Sequence, residues 1–258
     1  MHKIRQKLGI ALVMAIGTCV SAAQTATPDL GSIVQRMTQA QADSHNNIRA
    51  YQVTREYRFY EGEVKPTADS NVIADVTYYP PDSKEYAIRT ASGGGRGQHV
   101  VKKVLEHETQ MVGRWEDTAM IDQNYKFALL GEETLNGRRC FILGVEPRRN
   151  VKELIKGRAW VDAEDFRIHQ VQGEPAKSPS FWIKKLNLTL VFSEVEGMWL
   201  QTSVHASADV RMFGKNTLSE RDLKYRVSNA VAAKNNAVAA KKPVRRSTPQ
   251  SNIATFVR

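Results

Sequence analysis

The sequence predicts a single α+β domain, mainly antiparallel β, whose sheet is strongly curved or partly closed. Three observations carry that expectation. Apolar residues alternate with period two through most of residues 51–227, tight turns separate the alternating runs, and helical spacing appears only twice. About nine or ten strands in meander order with two helices and no internal repeat have to manage their sheet edges, and curvature does so.

The first helix runs from Asp29 to about His45. Leu30, Ile33, Val34 and Met37, then Ala40 or Gln41, fall at helical spacing, and Asp29 is placed as the N-cap after Pro28. The period then changes: Tyr51, Val53, Tyr57 and Phe59 alternate with Gln52, Thr54, Glu56 and Arg58, a half-buried strand. Asn71–Tyr79 ends at Pro80-Pro81, and Lys84–Ala91 is the next strand. Ser92-Gly93-Gly94-Gly95-Arg96-Gly97 then reads as a flexible joint that lets a second helix, from about His99 to Trp115, move. Tyr125–Leu130 and Arg139–Val145 flank Asn136-Gly137, a strong hairpin signal. Gly157–Val161 and Phe166–Val171 flank Asp162-Ala163-Glu164-Asp165, Trp182–Phe192 and Met198–Val210 flank Glu196-Gly197, and Leu218–Val227 closes the body.

The two ends differ from this body. Lys3, Arg5 and Lys7 precede an apolar run from Leu8 to Val20, and Ser21-Ala22-Ala23 follows. That order is a secretory signal peptide over residues 1–23, cut between Ala23 and Gln24. The apolar run falls short of the ~20 residues that span a bilayer. Ile16-Gly17-Thr18-Cys19 is loosely like a lipobox, which would make Cys19 a lipid-modified N-terminus, but threonine before the cysteine is unusual. The expected compartment is therefore the periplasm. Residues 229–258 carry Lys234, Lys241, Lys242, Arg245, Arg246 and Arg258 with no acid, in an Ala/Asn/Ser/Pro-rich stretch expected to be disordered. Those two ends hold nine of the ten net positive charges and leave residues 24–228 at +1. The basic balance thus does not imply nucleic acid, although the tail could rest on an anionic membrane surface at about 1 kcal/mol per charge.

No catalytic constellation emerges. His107-Glu108 has Met111 where the zincin motif needs its second histidine, there is no Gly-x-Ser-x-Gly elbow, and the glycine run lacks a P-loop ending. Cys140, the one cysteine left after export, sits in an apolar string and reads as a buried inert thiol. Asp162, Glu164 and Asp165 read as turn formers exposed to water. The chain is expected to be a non-enzyme with no metal or other cofactor. Two helices that incompletely fill a curved sheet leave an apolar cavity, and that is where function is sought.

Leu129-Leu130-Gly131-Glu132-Glu133-Thr134-Leu135-Asn136-Gly137-Arg138-Arg139-Cys140-Phe141-Ile142-Leu143 and Gly157-Arg158-Ala159-Trp160-Val161-Asp162-Ala163-Glu164-Asp165-Phe166-Arg167-Ile168 resemble the outer-membrane lipoprotein-sorting family (LolA/LolB-like). The second stretch is similar to that family's Gly-x-x-Trp-Val-Asp strand–turn–strand, and the resemblance spans about residues 29–228. It implies an unclosed β-barrel capped by helices, and a periplasmic carrier that shelters the acyl chain of a lipoprotein or lipid. The expected lining is Tyr57 and Phe59 from the first strand, Val104, Met111 and Trp115 from the movable helix, and Leu188, Leu190 and Phe192 from the late hairpin. A periplasmic sensor or regulatory domain that binds a segment of an envelope membrane protein is the alternative, and an enzyme acting on lipid or envelope polymer is the third reading. The basic tail and the long 60–71 connection depart from the resemblance.

Overall fold

Asp29 caps the first helix as its position implies: its carboxylate accepts the Ser32 N–H at 3.1 Å. The helix, α1 (Leu30–Asn46), buries Ile33, Val34 and Met37 on one face. The computed structural model describes residues 28–227. The expected signal peptide, 1–23, and basic tail, 229–258, lie outside them.

Three strands follow: β1 (Tyr51–Glu61), β2 (Ser70–Tyr79) and β3 (Ser83–Gly93). Then come α2 (Gly95–Gln110) and the one-turn α3 (Trp115–Thr118). The remainder is β4 (Tyr125–Leu135), β5 (Arg138–Pro147), β6 (Ile155–Asp162), β7 (Ile168–Pro175), β8 (Ile183–Val195), β9 (Met198–Val210) and β10 (Gly214–Val227). All ten strands form one antiparallel sheet in the order β3-β2-β1-β10-β9-β8-β7-β6-β5-β4. β10 returns to pair with β1, so the two free edges are β3 and β4, the strands on either side of the helical segment. This is an unclosed curved β-barrel with helices.

Turn chemistry accounts for the meander. Asn136 and Gly137 take φ of 51° and 81°, and Glu196 and Gly197 take 51° and 77°, the doubly left-handed geometry that matches strand twist. Inside the barrel two apolar clusters form. One gathers α1 with β4–β7 around Ile33, Met37, Phe141, Leu143 and Val161. The other gathers α2 with β1, β2, β9 and β10 around Tyr57, Phe59, Val72, Val101 and Leu105.

Three expectations are corrected. The second helix starts earlier and stops earlier than His99–Trp115: it begins at Gly95, ends at Gln110, and a break at Gly113 (φ 79°) separates the turn that carries Trp115. The N-cap is Gly94, with no capping side chain, and the chain turns at Gly113 after the C-cap Met111, so the apolar period alone does not mark those ends. The glycine run is also more than a loose joint. A Cβ on Gly97 would lie 2.4 Å from Ser70 Oγ and 2.7 Å from Phe59 Cδ1, so α2 sits against the sheet at a distance only glycine allows. Finally, Asp162 is not exposed with Glu164 and Asp165; it is 1% accessible and receives both of their backbone N–H groups, at 2.7 and 3.2 Å. A carboxylate that caps its own turn is pulled inward by the donors it satisfies.

Candidate functional site

The two apolar clusters do not meet completely. Between them, above β7–β9, lies a cavity of about 480 Å³. α1 supplies Ala40, Gln41, Ser44 and His45, α3 supplies Trp115, and β8 contributes Leu190 and Phe192. Ile168, Val171, Tyr51 and Leu200 are among the other apolar residues that line it. One wall is held by hydrogen bonds: Gln41 donates to the Met120 carbonyl at 2.9 Å and accepts from the Met120 N–H at 3.1 Å. Another is a ring stack, with the His45 and Trp115 centroids 4.6 Å apart and their planes at 13°. The volume falls within the roughly 300–1,000 Å³ usual for small-molecule sites.

The expected lining residues divide between this cavity and the packed core. Trp115, Leu190 and Phe192 line the cavity together. Tyr57 and Phe59 are buried in the cluster beneath α2, and Val104 packs against that cluster; none of the three is among the residues that line the cavity. Met111 is the half-buried C-cap of α2, and Leu188 is half-buried on β8 opposite Ala206. Sequence periodicity put all eight on inward phases, but it could not tell which inward positions a helix would cover. Ala40, His45, Ile168, Val171 and Leu200 escaped notice because small or ordinary core residues carry no mark of a neighbouring void.

A second feature escaped notice that did leave a signal. Arg55 occupies the inward phase of β1 between Val53 and Tyr57 and is 4% exposed. Its guanidinium reaches Glu108 and Glu220 at 3.0 Å each and Asp222 at 2.5 Å. Lys84 joins Glu108 at 2.7 Å, and the Tyr225 hydroxyl donates to Asp222. The register of β1 against β10 shifts between Thr54/Lys224 and Arg55/Asp222, which leaves Leu223 as an extra residue. This bulge re-aims Asp222 and Glu220 inward, opposite Arg55 and Tyr57. Burial pushes the Glu220 carboxyl up to about 7; Arg55 opposes this, while Glu108 and Asp222 reinforce it. Burial also acts to raise Glu108, but Arg55 and Lys84 outweigh it and hold it below the usual carboxylate range. Through Glu108 on α2, the cluster ties helix to sheet. A charged residue in the apolar phase of a strand was the sequence signal for it.

Asp162, Asp165 and His169 bring ligand atoms within 4.8 Å of one another. Asp162, however, already meets Arg138 at 3.0 Å and His169 at 3.5 Å, so a resident cation fills the charge role that a metal would take. Cys140 is buried, and burial raises its thiol pKa, the opposite of an activated nucleophile.

A family of unknown function (DUF5686) matches residues 117–225. No curated protein sequence matches the chain. Among solved structures, the chain is similar to a LolA superfamily protein from Nitrosomonas europaea, at 12% identity and a TM-score of 0.44, covering 77% of this chain and 93% of that one. It is also similar to a domain described as an outer-membrane lipoprotein-sorting protein from Vibrio parahaemolyticus, at 12% identity and a TM-score of 0.37, covering 79% and 98% of the respective chains. The Pseudomonas aeruginosa MucA/MucB complex is similar at 10% identity and a TM-score of 0.26, covering 79% of this chain and 95% of that one. Among the described residues no helix is long and apolar enough to cross a membrane.

Proposed function

We propose that this chain is an exported, non-enzymatic carrier that shelters an acyl chain, from a lipoprotein or another lipid, in the cavity between α1, α3 and the sheet. The observation that carries the reading is that cavity: about 480 Å³, with Leu190, Phe192, Ile168, Val171 and Trp115 around it. Each methylene buried there is worth about 0.8 kcal/mol, so part of an acyl chain suffices for useful affinity. Two polar groups at the wall are satisfied within the protein: Gln41 is bonded to the Met120 backbone, and Ser44 donates to the Ala40 carbonyl at 2.6 Å. Glu153, Arg167 and Gln201 also line the cavity and leave part of its wall polar. Satisfied groups such as Gln41 and Ser44 suit an acyl chain, since unsatisfied donors would favour water over hydrocarbon.

Export with cleavage after Ala23 belongs to the same proposal. The test is native mass spectrometry of the protein purified from its own envelope, together with uptake of a fluorescent fatty acid. Bound lipid and saturable uptake support the reading. An empty cavity that also refuses the probe overturns it, and capture of one membrane-protein segment without lipid would favour a sensor domain instead.

A further inference from the structure

Ile88, Leu129, Leu130 and Leu223 are exposed singly or in pairs along β3, β4 and β10, but the bulkiest exposed apolar side chains stand together. Phe181 is 75% exposed, Trp182 53%, Met212 86% and Phe213 57%, and all four stand at one end of the barrel. The segment before β8 and the turn between β9 and β10 are bound together: the Arg211 N–H donates to the Trp182 carbonyl at 2.7 Å, and Arg211 Nε donates to the Phe181 carbonyl at 2.9 Å. The Phe181 and Trp182 rings lie 5.7 Å apart. Val64, in the neighbouring β1–β2 connection, is 57% exposed as well, and that connection is joined to the tip by Gly62 N–H to the Lys215 carbonyl at 2.8 Å.

Two details argue against an accidental patch. Met212 has φ of 71°, a left-handed conformation that glycine or asparagine adopts more readily; here it lifts a long apolar side chain off the turn. Cations surround the tip. Arg211 lies 4.7 Å above the Phe181 ring and Arg96 lies 4.7 Å from the Phe213 ring. Arg96 and Lys215 are paired with Glu61 and Glu63, whereas Lys177, Lys184, Lys185 and Arg211 form no ion pair among the described residues. The acid between them is Asp209, opposite Lys185 and Lys215 in the strand register.

We propose that this tip docks the protein on an anionic phospholipid surface, with Trp182, Met212 and Phe213 entering the interface and Lys184, Lys185 and Arg211 meeting the phosphates. Apolar side chains on projecting turns suit a fluid phase better than a rigid groove. Aromatic rings prefer the headgroup level, and nearby cations gain from the negative surface potential. This surface is built from residues other than the basic tail, and the proposal stands whether or not the cavity holds an acyl chain.

The test uses the full mature chain and vesicles of phosphatidylcholine with or without phosphatidylglycerol. Co-sedimentation with the anionic vesicles is expected, with brominated lipid quenching tryptophan fluorescence and Trp182→Phe removing most of that quenching. The triple variant Trp182→Ser, Met212→Ser, Phe213→Ser should bind about tenfold or more weakly, and Arg211→Glu should bind more weakly too. Because these side chains are exposed, both variants should still take up the fluorescent fatty acid if the parent does. A parent that ignores anionic vesicles overturns the proposal. So does a triple variant that binds like the parent, which would leave the tail as the anchor, or a parent dimer that the variant abolishes, which would make the tip a contact between copies.

Discussion

The His45 imidazole and the Trp115 indole lie parallel, 4.6 Å between centroids and 13° between planes, so two helices far apart in sequence share one wall of the cavity. α3 is a single turn, too short to hold its place by its own hydrogen bonds. Trp115→Ala should therefore widen the cavity mouth, weaken fatty-acid uptake severalfold and cost about 1–3 kcal/mol of stability. Binding titration and urea denaturation measure the two effects, and an unaltered titration would remove Trp115 from the site.

Filling the cavity separates binding from folding. Leu190 faces it from β8, and Leu190→Trp puts a larger side chain into existing space. Uptake should be lost while the melting temperature stays within a few degrees of the parent, because occupying a void adds contacts instead of removing them. Persistent uptake would show that ligand enters elsewhere.

Arg55 is the hub of the buried charge cluster, with Glu108, Glu220 and Asp222 all within 3.0 Å. Arg55→Met leaves these carboxylates without their shared cation and should destabilise by about 3–5 kcal/mol in equilibrium denaturation. The outcome that contradicts this is a loss below about 1 kcal/mol, which is the scale of an exposed pair.

Glu220 should give a pH dependence opposite to that of an ordinary carboxylate. Its pKa rises from 4.5 to about 7 in the folded chain, so the folded state holds this proton more tightly. Its contribution to stability is then lost as pH rises through that window. The groups facing it are Arg55, Glu108, Asp222 and Lys84. Glu108, lowered on folding, and His169, also lowered, have the reverse sign and favour higher pH. Comparing Glu220→Gln with the parent cancels the His169 contribution, and Glu108, lowered to about 2, titrates below the window compared. The variant should gain relative stability as pH rises from about 5 to about 8, and a flat difference in melting temperature would refute the assignment.

Two glycines two residues apart in the first turn of α2 make an internal control. Gly97→Ala forces a Cβ to 2.4 Å from Ser70 Oγ and 2.7 Å from the Phe59 ring, and should cost about 1–3 kcal/mol. Gly95, the first residue of α2, has nothing within 4 Å of a built Cβ, so Gly95→Ala should be neutral or stabilise by about 0.5–1 kcal/mol. Equal thermal shifts in the two variants would mean that α2 does not pack at the distance described.

Local chemistry was legible in the chain itself. The Asp29 cap, the period-two runs and the Asn136-Gly137 and Glu196-Gly197 turns depend on residues close in sequence, and they determine an antiparallel meander with its inward and outward faces. Trp115, Leu190 and Phe192 were recognisable as inward for the same reason. What only the tertiary structure decided is how long-range pairing uses those faces. β10 returns to β1, α2 covers Tyr57 and Phe59, and a bulge at Leu223 turns Glu220 and Asp222 toward Arg55. A cavity is what packing leaves unfilled, so no single residue encodes it. It exists because two helices cover two parts of one curved sheet and fail to meet over β7–β9.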